Sequence, residues 1–396
     1  MQTTDTIYLT ILKHTVTNQP VTELLSDDTE KQISALASRH YTSAFLLPYI
    51  KGTTVSQMQK QQVRQLLLNY YQIEHFTWKI ASLFEEHQIP YFLLKGISLA
   101  AYYPEPEYRK LGDVDLYIND PTALEKAKRV LTQNGFTEID ELSDHHLTFQ
   151  YTFPLTGASY ILELHFRIVG LYQYAPANKL IDQIYAPGQL QPEMQQLREH
   201  TYPVLPPNEY VFYMLHHMLK HYLYSGFGIR LLLDFTLYLN VRHQEVDFSI
   251  IHSWCRQSHI LHFYEIILTC CRQLGLHPSV DSEITADATD SQTFLTRVLN
   301  EKDMGTVKPS TLVGSGVYKT ITPLTYFKEG HLQMHVRFPR LGKCFLLWPA
   351  LWSITLICFL RNTYKLRHTT LRDTLQSFRQ TNQSARQIHI FNDSDC

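Results

Sequence analysis

The sequence predicts an α+β protein in which a sheet-forming core lies between two helical regions. Apolar residues recur every three or four positions through residues 7–86, a spacing typical of helices. Over residues 91–169 the pattern changes to short apolar runs bounded by proline and glycine, which indicate strands. Helical spacing returns after Leu205. We therefore predict an N-terminal helical region at 1–88, an α/β core at 89–200 and a C-terminal helical region at 201–396.

The N-terminal region is predicted to be a helical layer without chemistry of its own. Its apolar residues follow helical spacing in three stretches, 33–37, 63–67 and 76–84, and the pattern breaks near Gly52. The length of 396 residues supports additional units around the core, because single hydrophobic cores rarely grow beyond about 250–300 residues.

The core is predicted to alternate strands and helices. Its first strand begins after Pro90 and ends at Gly96, where a short helix starts. Asp120 and Pro121 form a helix-start signal, and Gly135 ends that helix. The predicted strands are 91–95, 112–118, 147–153 and 160–168, and the predicted helices are 97–102 and 122–133.

The C-terminal region combines helical patterns with two segments of a different kind. Residues 283–318 are rich in Thr, Ser, Asp and Gly, and we predict a long connector or flexible insertion there. Residues 344–360, CFLLWPALWSITLICFL, are at the lower limit of length for a membrane-spanning helix. We predict a buried helix. Trp348, Trp352 and the basic flanks keep open a second interpretation, contact with a membrane surface.

The composition bears on partners and location. Lys and Arg number 35 against 37 Asp and Glu, so the chain has no overall attraction to nucleic acid, which is not an expected partner. The six cysteines lack CxxC spacing, which is typical of reduced intracellular proteins. The first residues do not resemble a signal peptide, and a cytoplasmic location is expected, with a peripheral membrane position as the alternative.

Two aspartates within the second predicted strand are the main chemical signal. Side chains alternate along a strand, so Asp113 and Asp115 point to the same face while Val114 and Leu116 point to the other. Adjacent carboxylates repel each other, and a divalent cation removes this cost. Because all the ligands are oxygens, the pattern favours Mg²⁺ or Mn²⁺ over zinc.

A third carboxylate follows on a later predicted strand. Glu163, His165 and Arg167 share one face of it, and Glu163 would complete a cluster if this strand lies beside the aspartate strand. Such a cluster can hold two metals for a phosphoryl or nucleotidyl displacement. Glu141 and Asp144 are rival candidates for the third position.

The turn after the first strand is suited to phosphate. Gly96 allows close approach of a ligand to the backbone, and the following helix start offers unpaired amides. Ser98 adds a hydroxyl, and Lys95 or Arg109 could neutralise phosphate charge.

Taken in order, these residues resemble a known superfamily. A Gly and Ser at a strand-to-helix turn, then Asp-x-Asp, then a later carboxylate are similar to the DNA polymerase beta-like nucleotidyltransferases. More narrowly, the segments LLKG, GDVDLYI, LELHF, LHHMLKH and LLLDF resemble a family of uncharacterised bacterial nucleotidyltransferases. The resemblance implies a nucleotidyltransferase-type mixed sheet, with Gly96 and Ser98 at the triphosphate. Asp113 and Asp115 would be metal ligands, and Glu163 a third ligand or a base.

The same resemblance predicts the walls of the cleft. His217, Lys220 and His221 fall on helical spacing, and the family suggests that they line the nucleotide or acceptor side; the further predicted members are His165, Arg230 and Asp234. Core and capping roles are the other interpretation of these residues. The glutamate of an HExxH motif is absent, so a zinc enzyme is not expected from this helix.

The expected activity is transfer of a nucleoside monophosphate from an NTP to an acceptor, with two metals and release of pyrophosphate. The acceptor stays open among a protein, a sugar and a small molecule. A rival is a catalytically silent nucleotide- or protein-binding module on the same fold, because Ile97 separates the Gly and Ser that are usually adjacent in the superfamily.

Overall fold

A computed structural model describes the chain except for residues 1–2, 20–24, 52, 140–142, 173, 223–226, 285, 301–322, 339 and 367–396. Within the described residues, seven strands form one mixed sheet, and most helices precede or follow these strands in the sequence. This arrangement confirms the predicted α+β class. The strands are β1 (Phe92–Leu93), β2 (Val114–Tyr117), β3 (Thr137–Ile139), β4 (His146–Thr152), β5 (Ser159–His165), β6 (Glu193–Leu197) and β7 (His200–Val204).

The helices surround this sheet before, between and after the strands. Before it come α1 (Thr3–Val16), α2 (Asp27–Arg39), α3 (Ser43–Leu46) and α4 (Thr53–Glu86). Between strands lie α5 (Ile97–Ala100), α6 (Pro121–Gln133) and α7 (Ala175–Ile184). After it come α8 (Pro207–Lys220), α9 (Ile229–Arg242), α10 (Phe248–Gln257), α11 (Leu261–Gln273), α12 (Ala288–Asn300), α13 (Pro323–Arg337) and α14 (Trp348–Leu366).

The strand order is β3-β4-β5-β2-β1-β7-β6. β2 runs parallel to β5 and β1 runs parallel to β7, whereas the other neighbouring pairs are antiparallel. The condition stated for Glu163 is therefore met, because β5 lies directly beside β2. Their register pairs Asp115 with Glu163.

Sequence patterns located four strands and missed three. β3, β6 and β7 lack the apolar runs by which the others were recognised. The sheet extends to Val204, so the predicted core boundary at residue 200 falls inside the β6–β7 hairpin. β5 ends at His165, three residues before the predicted end of this strand at residue 168, and Arg167 lies beyond β5.

The start of α6 is formed as its sequence predicts. The Asp120 carboxylate accepts a hydrogen bond of 2.7 Å from the amide of Ala123, and Pro121 is the first helical residue. Gly135 follows the helix with a φ of 86°, a conformation that glycine adopts without steric cost. These local signals fix the connection from β2 to β3.

The two faces of the sheet differ in chemistry. On one face, Phe76 of α4 packs against Phe136, Tyr151 and Tyr160 with ring centroids 5.4–6.2 Å apart. Because side chains alternate, the neighbours of these residues along β4 and β5 point to the opposite face. That face carries Asp115, Glu163 and His165, and α8 approaches it. The long helix α4 thus closes the apolar side and leaves the polar side for a site.

Two C-terminal predictions are corrected by the structure. Residues 288–300 of the predicted connector form α12, because Phe294, Leu295 and Val298 recur at helical spacing and are buried; the residues from 301 to 318 lie outside the described part. Residues 344–360 do not form a buried helix. Phe345, Leu346 and other apolar side chains there are more than half exposed.

Among the described residues, no helix is both long and apolar enough to cross a membrane. α14 contacts α13 through Trp352, whose ring lies 4.8 Å from that of Phe327. The predicted contact of residues 344–360 with a membrane surface stays a prediction.

His216 on α8 gives a prediction for the pH dependence of stability. It is buried, its Nδ1 lies 3.0 Å from the Tyr172 hydroxyl, and burial together with the charge of Arg167 lowers the pKa of His216 to about 3. In the unfolded chain His216 binds a proton near pH 6.5. Its contribution to stability is therefore fully present above that pH and is lost as the pH decreases toward about 3. At about pH 5 the expected loss from this residue is about 2 kcal/mol of unfolding free energy.

Urea unfolding at about pH 7.5 and about pH 5 measures this loss. We expect the stability of the His216→Gln variant to decrease less between the two pH values than that of the wild type, because glutamine does not take up a proton. Equal decreases in the two proteins would contradict the assignment.

Candidate active site

An acidic cluster, consisting of Asp113, Asp115 and Glu163, lies on the polar face of the sheet. Asp115 is at the centre of β2 and is 1% exposed, and Glu163 faces it from β5. Asp113 precedes β2 and is half-buried. The structure thus brings Asp115 and Glu163 together, and the charge of Asp113 acts on Asp115 and Lys95.

Lys95 reaches into the acidic cluster from the turn after β1. Its Nζ lies 3.1 Å from Asp115 Oδ1. Burial by itself would favour a neutral lysine, but the carboxylates of Asp115, Asp113 and Glu163 outweigh it and raise the pKa of Lys95 above its usual value. Lys95 is therefore a charged ammonium that neutralises part of the cluster.

One carboxylate oxygen of Asp115 is available to bind a further cation. Burial raises the pKa of Asp115 to about 6, against the lowering effect of the Lys95 charge. Its Oδ1 contacts Lys95 and His165, whereas its Oδ2 is buried and has no hydrogen-bond partner among the described residues. A buried, unpartnered carboxylate oxygen is costly, and a metal ion would satisfy it. The donor set of this cluster therefore fits a divalent cation.

His165 lies between the two buried carboxylates. Its Nε2 is 3.2 Å from Asp115 Oδ1 and 3.4 Å from Glu163 Oε2. Burial opposes protonation of this imidazole, but the hydrogen bonds to Asp115 and Glu163 raise the pKa of His165. The same interactions hold the pKa of Glu163 well below its usual range despite its burial. Glu163 is accordingly an ionised carboxylate.

Gly96 forms the turn that leads from Lys95 into α5. Its φ of 75° and ψ of −120° lie in a region that residues with a side chain rarely adopt. No atom lies within 4 Å of the position of a Cβ atom, so the backbone conformation, rather than crowding, requires glycine here. α5 is a single turn of four residues, shorter than the predicted helix 97–102. The phosphate-binding role of Gly96 stays a prediction.

Ser98 is buried inside α5 rather than exposed on the cluster. Its Oγ lies 2.7 Å from the Tyr210 hydroxyl and 3.4 Å from the carbonyl oxygens of Leu94 and Lys95. In this arrangement the hydroxyl connects α5 to α8. The predicted contact of Ser98 with a triphosphate would require it to leave these partners.

Arg109 and Asp234 form a buried ion pair. Both side chains are 4% exposed, and Nε and Nη2 of the guanidinium each donate a hydrogen bond of 2.8 Å to the carboxylate. The Tyr103 hydroxyl donates a third, also of 2.8 Å. Arg230 donates to the carbonyl of Lys110 at 2.9 Å. These contacts join the loop before β2 to α9, and the site roles predicted for Arg109, Arg230 and Asp234 stay predictions.

Helix α8 and the residue after it form a wall opposite the acidic cluster. We call His217, Lys220 and His221 the α8 wall. His217 Nε2 is 3.5 Å from Lys95 Nζ and 3.0 Å from His221 Nε2. Burial and nearby positive charges keep the pKa of both histidines well below the usual value, and burial lowers the pKa of Lys220 to about 8. The two imidazoles are therefore neutral near pH 7, and the cleft role predicted for the α8 wall stays a prediction.

Three further residues near the acidic cluster, Asp144, His145 and His146, make contacts that the sequence did not predict. Asp144 accepts hydrogen bonds from His145 Nδ1 at 2.7 Å and from the amide of Leu171 at 2.8 Å, instead of joining the carboxylates. His145 and His146 precede or begin β4, next to His165. In the sequence, the only indication of these contacts is the adjacent pair His145 and His146 at the start of a predicted strand. Glu141, the other rival to Glu163, lies outside the described residues.

A family model described as an uncharacterised nucleotidyltransferase matches residues 22–275, which include the acidic cluster, the turn at Gly96 and the α8 wall. No curated protein and no solved structure matches the chain.

Proposed function

This chain belongs to the uncharacterised nucleotidyltransferase family, and from that premise we propose that it transfers a nucleoside monophosphate from an NTP to an acceptor. The observation that carries the proposal is the register of β2 and β5, which pairs Asp115 with Glu163 at the buried centre of the sheet. Membership of the polymerase beta-like superfamily is part of the proposal, and the order of Gly96, Asp113, Asp115 and Glu163 in the chain supports it.

We propose that the acidic cluster holds Mg²⁺ or Mn²⁺, in a two-metal arrangement. The unpartnered Oδ2 of Asp115 and the accumulation of negative charge around it support this assignment. Bound there, the cations would neutralise the triphosphate and stabilise the charge that develops on the attacking and leaving oxygens.

Lys95 is proposed to bind the triphosphate. In the absence of ligands its ammonium pairs with Asp115 at 3.1 Å, and the α8 wall lies on its other side, with His217 Nε2 at 3.5 Å. Lys95 can therefore exchange a carboxylate for a phosphate oxygen with a small side-chain movement. Gly96 and the first amides of α5 would approach the same phosphates.

Glu163 is proposed as the base for the acceptor. Its side chain is 25% exposed, so an acceptor hydroxyl can reach it. The hydroxyl proton would pass to Glu163 while the acceptor oxygen bonds to the α-phosphorus. The bond from the α-phosphorus to the oxygen of the β-phosphate would break, and pyrophosphate would leave with that electron pair.

The proposal is tested by following pyrophosphate release from each of the four common NTPs with Mg²⁺ or Mn²⁺. Candidate acceptors are a protein extract, sugars and small hydroxyl compounds, with α-phosphate-labelled NTP to identify the product. Metal-dependent release with transfer of the label is the expected result. NTP binding without release across this panel would instead favour the catalytically silent module, and absence of both would contradict the proposal.

A further inference from the structure

A group of three histidines adjoins the acidic cluster on the polar face of the sheet. We call His145, His146 and His165 the histidine group; each contributes one ring nitrogen, and these nitrogens lie within 4.8 Å of one another. β4 and β5 bring them together, because their register places His146 opposite His165. All three are at most partly exposed, and His145 and His165 are 6% exposed.

His145 is held in an orientation suited to a metal ligand. Its Nδ1 lies 2.7 Å from Asp144 Oδ1, and a carboxylate accepts, so Nδ1 carries the proton and Nε2 is the unprotonated nitrogen, which the Lys220 ammonium contacts. Asp144 is itself fixed by the amide of Leu171, which donates to Oδ2 at 2.8 Å. Carboxylates that accept the distal N–H in this way are typical partners of metal-binding histidines.

The unprotonated Nε2 of His145 faces His146. His146 Nδ1 lies 3.1 Å from His145 Nε2. In tetrahedral zinc sites with metal–nitrogen distances of about 2.1 Å, ligand nitrogens are about 3.4 Å apart, so this spacing is close to that of bound ligands. Lys220 Nζ also contacts His145 Nε2, which places a positive charge where a cation would bind.

We propose that His145, His146 and His165 form a binding site for a divalent first-row transition metal, with Zn²⁺ as the best match. Imidazole nitrogens select such metals, whereas the carboxylates of the acidic cluster select Mg²⁺ or Mn²⁺. Asp144 is the positioning residue of this site, and Lys220 is the internal cation that the metal displaces. This assignment does not require the proposed transferase activity, but the site shares His165 with the acidic cluster, where the Nε2 of His165 contacts Asp115 and Glu163.

The test is metal binding by the full chain after treatment with a chelator. Calorimetric titration with Zn²⁺ should give one tight site, and Co²⁺ in its place should give the intense visible absorption of a low-coordinate cobalt centre. The expected loss of Zn²⁺ affinity is at least 100-fold for His145→Ala and for His146→Ala. For Asp144→Asn, which preserves shape, it is about 10- to 100-fold.

Two controls separate this site from other histidines and from the acidic cluster. His262→Gln removes a histidine that contacts Glu265 and Asp290 at 3.1 Å, and it should leave Zn²⁺ affinity unchanged. Asp113→Asn should weaken Mg²⁺ binding and leave Zn²⁺ binding within about threefold, so the two proposals can fail separately. Wild-type Zn²⁺ affinity in Asp144→Asn and His146→Ala, or no Zn²⁺ binding by the wild type, would overturn the assignment.

Discussion

The double variant Asp113→Asn plus Asp115→Asn is expected to lose Mg²⁺-dependent NTP binding and at least about 1,000-fold of the transfer rate. Such a decrease corresponds to about 4 kcal/mol of transition-state stabilisation, within the range that metal-held charge supplies. The physical reason is that asparagine keeps the shape of aspartate but removes the negative charge that attracts a cation. Calorimetric titration with a non-hydrolysable NTP, with and without Mg²⁺, measures the binding part.

The fold of this double variant is checked by urea unfolding, because Asp115→Asn also removes the carboxylate that lies 3.1 Å from the buried Lys95 ammonium. The charge of Glu163 still acts on Lys95, and a folded variant without Mg²⁺-dependent NTP binding is the expected result. Glu125→Gln is a matched control, because Glu125 is an exposed carboxylate on α6 with 70% of its side chain accessible. Equal Mg²⁺-dependent affinity in the wild type and the double variant would exclude the metal assignment for the acidic cluster.

Replacing Arg109 by methionine is expected to reduce the free energy of unfolding by about 3–5 kcal/mol. The change leaves Asp234 as a buried carboxylate whose only remaining side-chain donor in the described structure is the Tyr103 hydroxyl. Breaking one partner of a buried ion pair is costly because the other charge stays desolvated. Urea unfolding at neutral pH measures the loss.

Two comparison variants make this expectation specific. Adding Asp234→Leu to Arg109→Met should restore part of the stability, because no unpaired charge is then left at this buried position. Arg198→Met removes a half-exposed arginine that pairs with Glu74 and Glu107, and it should cost no more than about 1 kcal/mol. If Arg109→Met were as stable as Arg198→Met but bound NTP poorly, the phosphate-binding role predicted for Arg109 would be favoured instead.

Local sequence signals predicted the parts of the fold that depend on local chemistry. The cap at Asp120, the stop at Gly135 and the apolar runs of β1, β2, β4 and β5 were all recognised from neighbouring residues. The pairing of Asp115 with Glu163 was predicted only as a condition, because strand order is a property of the whole sheet. Alternation along each strand was sufficient to say which side chains would meet once the strands were adjacent.

Features that depend on distant contacts were not predictable in this way. Ser98 contacts Tyr210, which is 112 positions away in the sequence, and no local sequence pattern predicts that contact. His145 becomes oriented only through Asp144 and the amide of Leu171, which is 27 positions away from that aspartate. The exposed face of α14 was missed because apolar composition is the same for a buried helix and for one that leaves its apolar side chains uncovered.

The ion pair between Arg109 and Asp234 can form only late in the synthesis of the chain. The two residues are 125 positions apart, and translation at about 5–20 residues per second separates their appearance by about 6–25 s. Until residue 204 has emerged, β1 also lacks its parallel neighbour β7, so the centre of the sheet is incomplete. The nascent chain must therefore keep the edge of β1 in contact with water until β7 has emerged, and Arg109 until α9 has emerged. Slowing translation between residues 120 and 234 is accordingly expected to increase the yield of chain that requires a chaperone.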